Sequence, residues 1–89
     1  MRTEHVTIIN RLGLHARAAA QLLKLANQFK SGISLIKGTQ KANAKTIMEL
    51  LMLAATKGTS LTITAEGADE DAAVEAIVEL INNKFNELE

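Results

Sequence analysis

The sequence predicts an α+β domain, an open-faced two-layer sandwich in which helices lie on one face of a small antiparallel sheet. Three observations predict it. Apolar residues alternate at period two in several short segments, and they recur at three- and four-residue steps in the segments between. The two patterns succeed one another in the order βαββαβα. Nothing marks a linker: the 89 residues contain no proline, low-complexity tract, charge block or internal repeat, so positions 1–89 read as a single domain.

The first strand covers residues 4–9, where Val6 and Ile8 share one face and His5 lies on the other, a solvated strand histidine. Residues 10–13, with Gly13, break the pattern and form a loop. Over 16–29 the residues Ala19, Leu22, Leu23, Ala26 and Phe29 make the apolar stripe of a helix of about four turns. Ser31 and Gly32 close it. A second strand at 33–36 leads into a hairpin turn around Gly38, and residues 41–44 form a short third strand at a sheet edge. Thr46 is placed to N-cap a helix running to about residue 56, with Glu49 completing a capping box and Lys57-Gly58 ending it. Leu61, Ile63 and Ala65 alternate with Thr62 and Thr64 in a fourth strand that has one solvated face. Asp69, Glu70 and Asp71 start the last helix, where the backbone dipole favours acids, and Val74, Ile77, Val78, Ile81 and Phe85 form its buried stripe.

Residues 46–55 do not fit a plain core helix. They are apolar nearly all the way round, whereas a helix on an open sheet hides about half its circumference. Whichever of Ile47, Met48, Leu51 and Met52 point away from the sheet are either covered by neighbouring loops or form a docking patch, a use that flexible methionines suit.

Composition excludes several functions. Ten basic and ten acidic residues cancel, which removes the electrostatic footprint of a nucleic-acid binder, and Phe29 and Phe85 are the only aromatics available for stacking on bases. The longest run free of charged residues is 58–65, far short of the ~20 apolar residues that span a bilayer. The alternation after Glu4 is unlike a signal peptide. No cysteine is present, which rules out disulfides and thiol catalysis and fits a reducing compartment. The expectation is a soluble cytoplasmic domain with no membrane insertion. The two histidines lie on different elements without a second ligand nearby, so neither a metal nor a cofactor is called for.

His15 stands out by its place between the glycine loop and the first turn of a helix. If it is the N-cap, the amides of Ala16, Arg17 and Ala18 lack partners within the helix and point outward beside the imidazole as an anion site. Arg17 adds a planar cation suited to phosphate oxygens. An unperturbed imidazole, with a pKa of about 6.5, is mostly neutral at cytoplasmic pH and can attack phosphorus through a ring nitrogen. Two readings remain: a histidine that carries a phosphoryl group, and a histidine that merely caps a helix.

The segment 13–19 (GLHARAA), the segment 44–48 (AKTIM) and the stretch from Lys57-Gly58-Thr59 to residues 65–70 (AEGADE) resemble the HPr family of phosphocarriers of the bacterial phosphoenolpyruvate-dependent phosphotransferase system. The resemblance covers essentially the whole chain and implies a sheet order of 1-4-2-3 with three helices on one face. It implies that His15 accepts a phosphoryl group at Nδ1 from phosphorylated enzyme I and passes it to a histidine of an enzyme IIA domain. Arg17 would balance the phosphate charge, and the second helix with the start of the first would be the shared docking surface. Such a protein is a covalent carrier without turnover of its own, and a monomer suits a shuttle. A regulatory kinase and a transcriptional regulator are further partners that the resemblance brings in. Ala18 stands where the family usually has proline, which puts the stiffness of the turn in doubt and not its chemistry. Thr46 stands where some members carry a serine phosphorylated by that kinase, and it reads either as a phosphorylation site or as an ordinary N-cap. Two alternatives stay open: a nitrogen-branch carrier serving a regulatory relay, and a small regulatory domain that binds ligands or proteins without carrying phosphate.

Overall fold

The computed structural model describes residues 1–88. Strands β1 (Arg2–Thr7), β2 (Gly32–Lys37), β3 (Gln40–Asn43) and β4 (Ser60–Glu66) form one antiparallel sheet in the order β1-β4-β2-β3. The expected architecture and strand order are both present. The register follows from the alternation: Val6 lies opposite Leu61, and Leu35 lies between Ile63 and Ala42, so buried side chains fall in rows across the strands. On the solvated face His5 is exposed, with its Nδ1 3.1 Å from the Thr62 hydroxyl.

Helices α1 (Ala16–Ala26), α2 (Ile47–Met52) and α3 (Glu70–Asn82) form the second layer, followed by a 3-10 turn at Lys84–Asn86. α3 packs on β1 and β4, α2 on β3, and α1 on both other helices. Ile8, Leu22, Leu35, Leu50, Ile63 and Ile77 are fully buried between the layers.

The helix ends differ from the periodicity, for identifiable reasons. α1 stops at Ala26, and the amides of Gln28 and Phe29 tighten onto the carbonyls of Leu25 and Ala26 at 3.0 and 3.1 Å. Leu23 and Phe29 are only half-buried, while Ala18, outside the expected stripe, is fully buried. α2 ends at Met52, not near residue 56, because Ala54 turns left-handed (φ 49°). Lys37 Nζ donates to the Leu53 carbonyl at 2.8 Å, and the Leu14 amide takes the carbonyl of Ala55 at 2.8 Å, so the chain is committed elsewhere.

The capping box at α2 is absent. Thr46 holds the N-cap position without a side-chain cap bond, and Glu49 Oε1 instead accepts from the Asn43 amide at 2.9 Å. The Asn43 side chain, though exposed, caps the turn itself, its Oδ1 accepting from the Lys45 amide at 2.9 Å. Phe85 is buried, but not as the last residue of the α3 stripe. α3 ends at Asn82, and Lys84, Phe85 and Asn86 all adopt positive φ, folding the ring back under the helices.

Candidate functional site

The loop from β1 to α1 is pinned from both sides. Ile8 exchanges backbone bonds with Gly58 and Thr59 at 2.7 and 2.9 Å, and the Gly13 amide returns to the Asn10 carbonyl at 3.1 Å. Gly13 has φ 67°, and a Cβ there would lie 2.5 Å from the Ala55 carbonyl oxygen, so only glycine lets the loop lie this close to the end of α2. Asn10 is fully buried, and its Nδ2 donates to the Gly13 carbonyl at 2.8 Å.

His15 leaves this loop in extended geometry (φ −80°, ψ 180°) as the N-cap of α1, as the sequence predicts. Its carbonyl accepts from the Ala19 amide at 2.8 Å. Its side chain also caps the helix, with Nδ1 accepting from the Arg17 amide at 3.2 Å. Of the three amides expected to be open, that of Arg17 is therefore held by the imidazole itself. An accepting Nδ1 carries a lone pair, which assigns the ring proton to Nε2. Nε2 donates to Oε2 of Glu87, a contact the sequence reading missed. Oε1 of Glu87 accepts from Asn10 Nδ2 at 2.8 Å.

The electrostatics follow from these bonds. Burial disfavours the Glu87 anion, since its side chain is only 18% exposed, but the hydrogen bonds from Asn10 and His15 outweigh this. The positive field of Arg17 adds to them, and the carboxyl sits below its ordinary pKa. The Arg17 side chain is exposed and reaches its neighbours as a charge. A cleft of about 630 Å³ opens beside the His15 ring, bordered by Leu12, Arg17, Gln21 and Glu87. The His15 side chain is 26% exposed, so the imidazole is oriented yet reachable. Such an arrangement offers a nucleophilic nitrogen, a helix N-terminus and a guanidinium to one anion.

Of the four residues expected in a docking patch, Met48 and Met52 are 62% and 71% exposed, whereas Ile47 and Leu51 are half-buried and packed on the core. Leu12, 60% exposed, is a further apolar side chain on the loop that carries His15. Thr46 is half-buried. The parts played by Asn10 and Glu87 escaped the sequence reading, which had Phe85 buried but on α3 and not in the turn that follows it. Two asparagines at Asn82 and Asn83 mark where α3 could end, since asparagine tolerates left-handed and turn geometry, but nothing local indicates that the tail returns to residue 15. Among the described residues no helix is long and apolar enough to cross a membrane.

Comparison with known proteins bears on the same residues. Residues 2–83 match the family model described as "PTS HPr component phosphorylation site". The chain is 46% identical over 87 residues to the phosphocarrier protein HPr of Neisseria meningitidis serogroup A, covering 98% of each chain. It is also 46% identical over 82 residues to the phosphocarrier protein NPr of Shewanella violacea, covering 92% of this chain and 90% of that one. Its fold matches the crystal structure of HPr-C-His from Thermoanaerobacter tengcongensis with a TM-score of 0.94 at 41% identity, covering 98% of both chains.

Proposed function

The chain belongs to the HPr family of phosphotransferase-system phosphocarriers, and we propose that the phosphoryl group is carried on Nδ1 of His15. One observation supports this above others: Nδ1 stands at the mouth of α1 as an acceptor, 3.2 Å from the Arg17 amide, on a ring that solvent reaches. The Nδ1 lone pair forms the bond to phosphorus while the bond from phosphorus to the donor breaks, its electron pair leaving with the donor. Once bonded to phosphorus, Nδ1 no longer accepts from the Arg17 amide. That amide, with that of Ala16, is then free for the phosphoryl oxygens, whereas Ala18, expected to join them, is fully buried. The Arg17 guanidinium balances their charge. Onward transfer reverses these steps.

Enzyme I is the donor and enzyme IIA domains are the acceptors in this reading, with Met48, Met52 and Leu12 at the shared docking face. The carrier works as a cytoplasmic monomer. Thr46, whose hydroxyl makes no cap bond, is a second modification site for a regulatory kinase, read in turn by a transcriptional regulator. A nitrogen-branch role is the competing reading, favoured by the similarity to the Shewanella NPr.

Incubation with phosphoenolpyruvate and enzyme I tests the central claim. One phosphate that survives base and is lost in acid should appear by mass spectrometry, and His15→Ala should abolish it. No adduct with a competent enzyme I would return His15 to a helix cap in a regulatory domain. Transfer to sugar-type and nitrogen-type IIA domains, measured side by side, separates the branches.

A further inference from the structure

The C-terminal turn is built in a way that the phosphocarrier reading above does not use. Phe85 is fully buried although it and both its neighbours sit at positive φ, a conformation that costs roughly 1 kcal/mol or more for each non-glycine residue. A buried aromatic ring offsets that cost and fixes where the chain goes next. Two residues later Glu87 lies with both carboxylate oxygens engaged, Oε1 by Asn10 Nδ2 at 2.8 Å and Oε2 by His15 Nε2. Asn10 is itself fully buried and braced on the Gly13 carbonyl at 2.8 Å. The carboxylate is thus held by an anchored side chain on one side and meets the imidazole on the other.

We propose that Glu87 is a positioning residue for phosphoryl transfer, holding the proton of His15 on Nε2 so that Nδ1 presents its lone pair at the start of α1. This rests on His15 being the carrier. The geometry resembles other nucleophile sites in which a carboxylate orients an imidazole through the nitrogen that does not react. The proton balance gives Glu87 a second task. When Nδ1 bonds to phosphorus, Nε2 keeps its proton and the ring becomes cationic. A carboxylate against Nε2 stabilises that cation, and no proton has to be exchanged with water in either direction. The cationic ring then leaves readily when the next acceptor attacks phosphorus, and the electron pair of the broken bond returns to Nδ1. The Arg17 guanidinium and the Glu87 carboxylate therefore divide the work, one answering the phosphoryl oxygens and the other the ring.

The test uses the full chain as wild type, Glu87→Ala and Glu87→Gln. Nitrogen-15 NMR of the unphosphorylated ring should show in the wild type a proton bound to Nε2, shifted far downfield and slow to exchange with water. Glu87→Ala should lose that signal. Glu87→Gln, which keeps a neutral acceptor, should retain it at a less shifted position. In transfer from phosphorylated enzyme I, Glu87→Ala should lower kcat roughly tenfold, the scale on which orienting partners act on functional histidines, with KM unchanged within about twofold. Glu87→Gln should fall between the two. A merely structural Glu87 would change thermal stability and leave kcat alone at temperatures where the chain is folded. Unaltered ring signals and kcat in Glu87→Ala overturn the proposal. A wild type that takes no phosphate from a competent enzyme I overturns the carrier reading itself, and this role with it.

Discussion

Asp69 and Glu87 are both carboxylates drawn toward the anion by donors that lie far from them in sequence. Asp69 takes the N-cap position of α3, yet its side chain makes no cap bond there. It accepts instead from the Ser31 hydroxyl, from the Lys30 amide at 2.8 Å and from the Ser31 amide at 2.9 Å, tying the start of α3 to the chain leaving α1. The hydroxyl bond is the largest cause, followed by the Lys30 amide; together they overcome desolvation and hold the pKa at about 2, against an ordinary 3.8. A carboxylate whose folded pKa is depressed contributes stability that is fully present above the unfolded pKa and lost as pH falls through the folded one. The wild type should therefore lose stability on acidification from about pH 4 to about pH 2, helped at the upper end by Glu70 and Glu87, which are shifted in the same direction. Asp69→Asn should be less stable at neutral pH and flatter across that interval, so that thermal unfolding curves of the two proteins converge toward pH 2. Parallel curves would mean that Asp69 does not titrate with folding.

At the scale of elements, strands were legible and helix ends were not, and α2 shows why. In β4 the alternation of Leu61, Ile63 and Ala65 with threonines records burial on one face, a property of the strand itself. In α2 the apolar run continues past Met52 without interruption, so no periodicity marks its end. The end is set by Lys37, 16 positions from Leu53, and by Leu14 and Gly13 lying against residues 55 and 56, contacts that no local pattern records. The site divides in the same way. His15 and Arg17 share one helical turn and declare themselves by spacing, whereas Glu87 acts across 72 positions. One consequence can be tested at the α2 terminus. Ala54 is exposed and left-handed (φ 49°) just beyond the C-cap Leu53, where glycine has no Cβ penalty. Ala54→Gly should stabilise the chain by about 0.5–1 kcal/mol, the left-handed penalty less the extra entropy of unfolded glycine. For a domain of this size that raises Tm by several degrees. A lower Tm would show that the turn at Ala54 is not left-handed in solution.

At the scale of the whole molecule, the fold keeps its core apart from the exposed apolar rim that the proposed docking would use. Leu50 and Leu53 of the α2 segment are sealed against the core, while Met48 and Met52 on the same turns stand 62% and 71% exposed. The end of that segment is tied to the glycine loop that leads to His15 by the bond from the Leu14 amide to the Ala55 carbonyl, and α2 packs against α1. A carrier that meets a donor and then an acceptor needs both to reach the same nitrogen, and a flexible apolar rim can repack against two different surfaces. Met48→Asp places a desolvation cost and a negative charge on that rim without touching the core. Association with enzyme I and with an IIA domain should each weaken roughly tenfold, equivalent to about 1.4 kcal/mol, as read by titration calorimetry. Folding stability should stay within about 0.5 kcal/mol of the wild type, because the side chain leaves nothing buried unpaired. Loss of one partner alone would mean that donor and acceptor dock on different faces. A variant that unfolds would place Met48 in the core, and the exposed rim would have to be sought around Met52 and Leu12 instead.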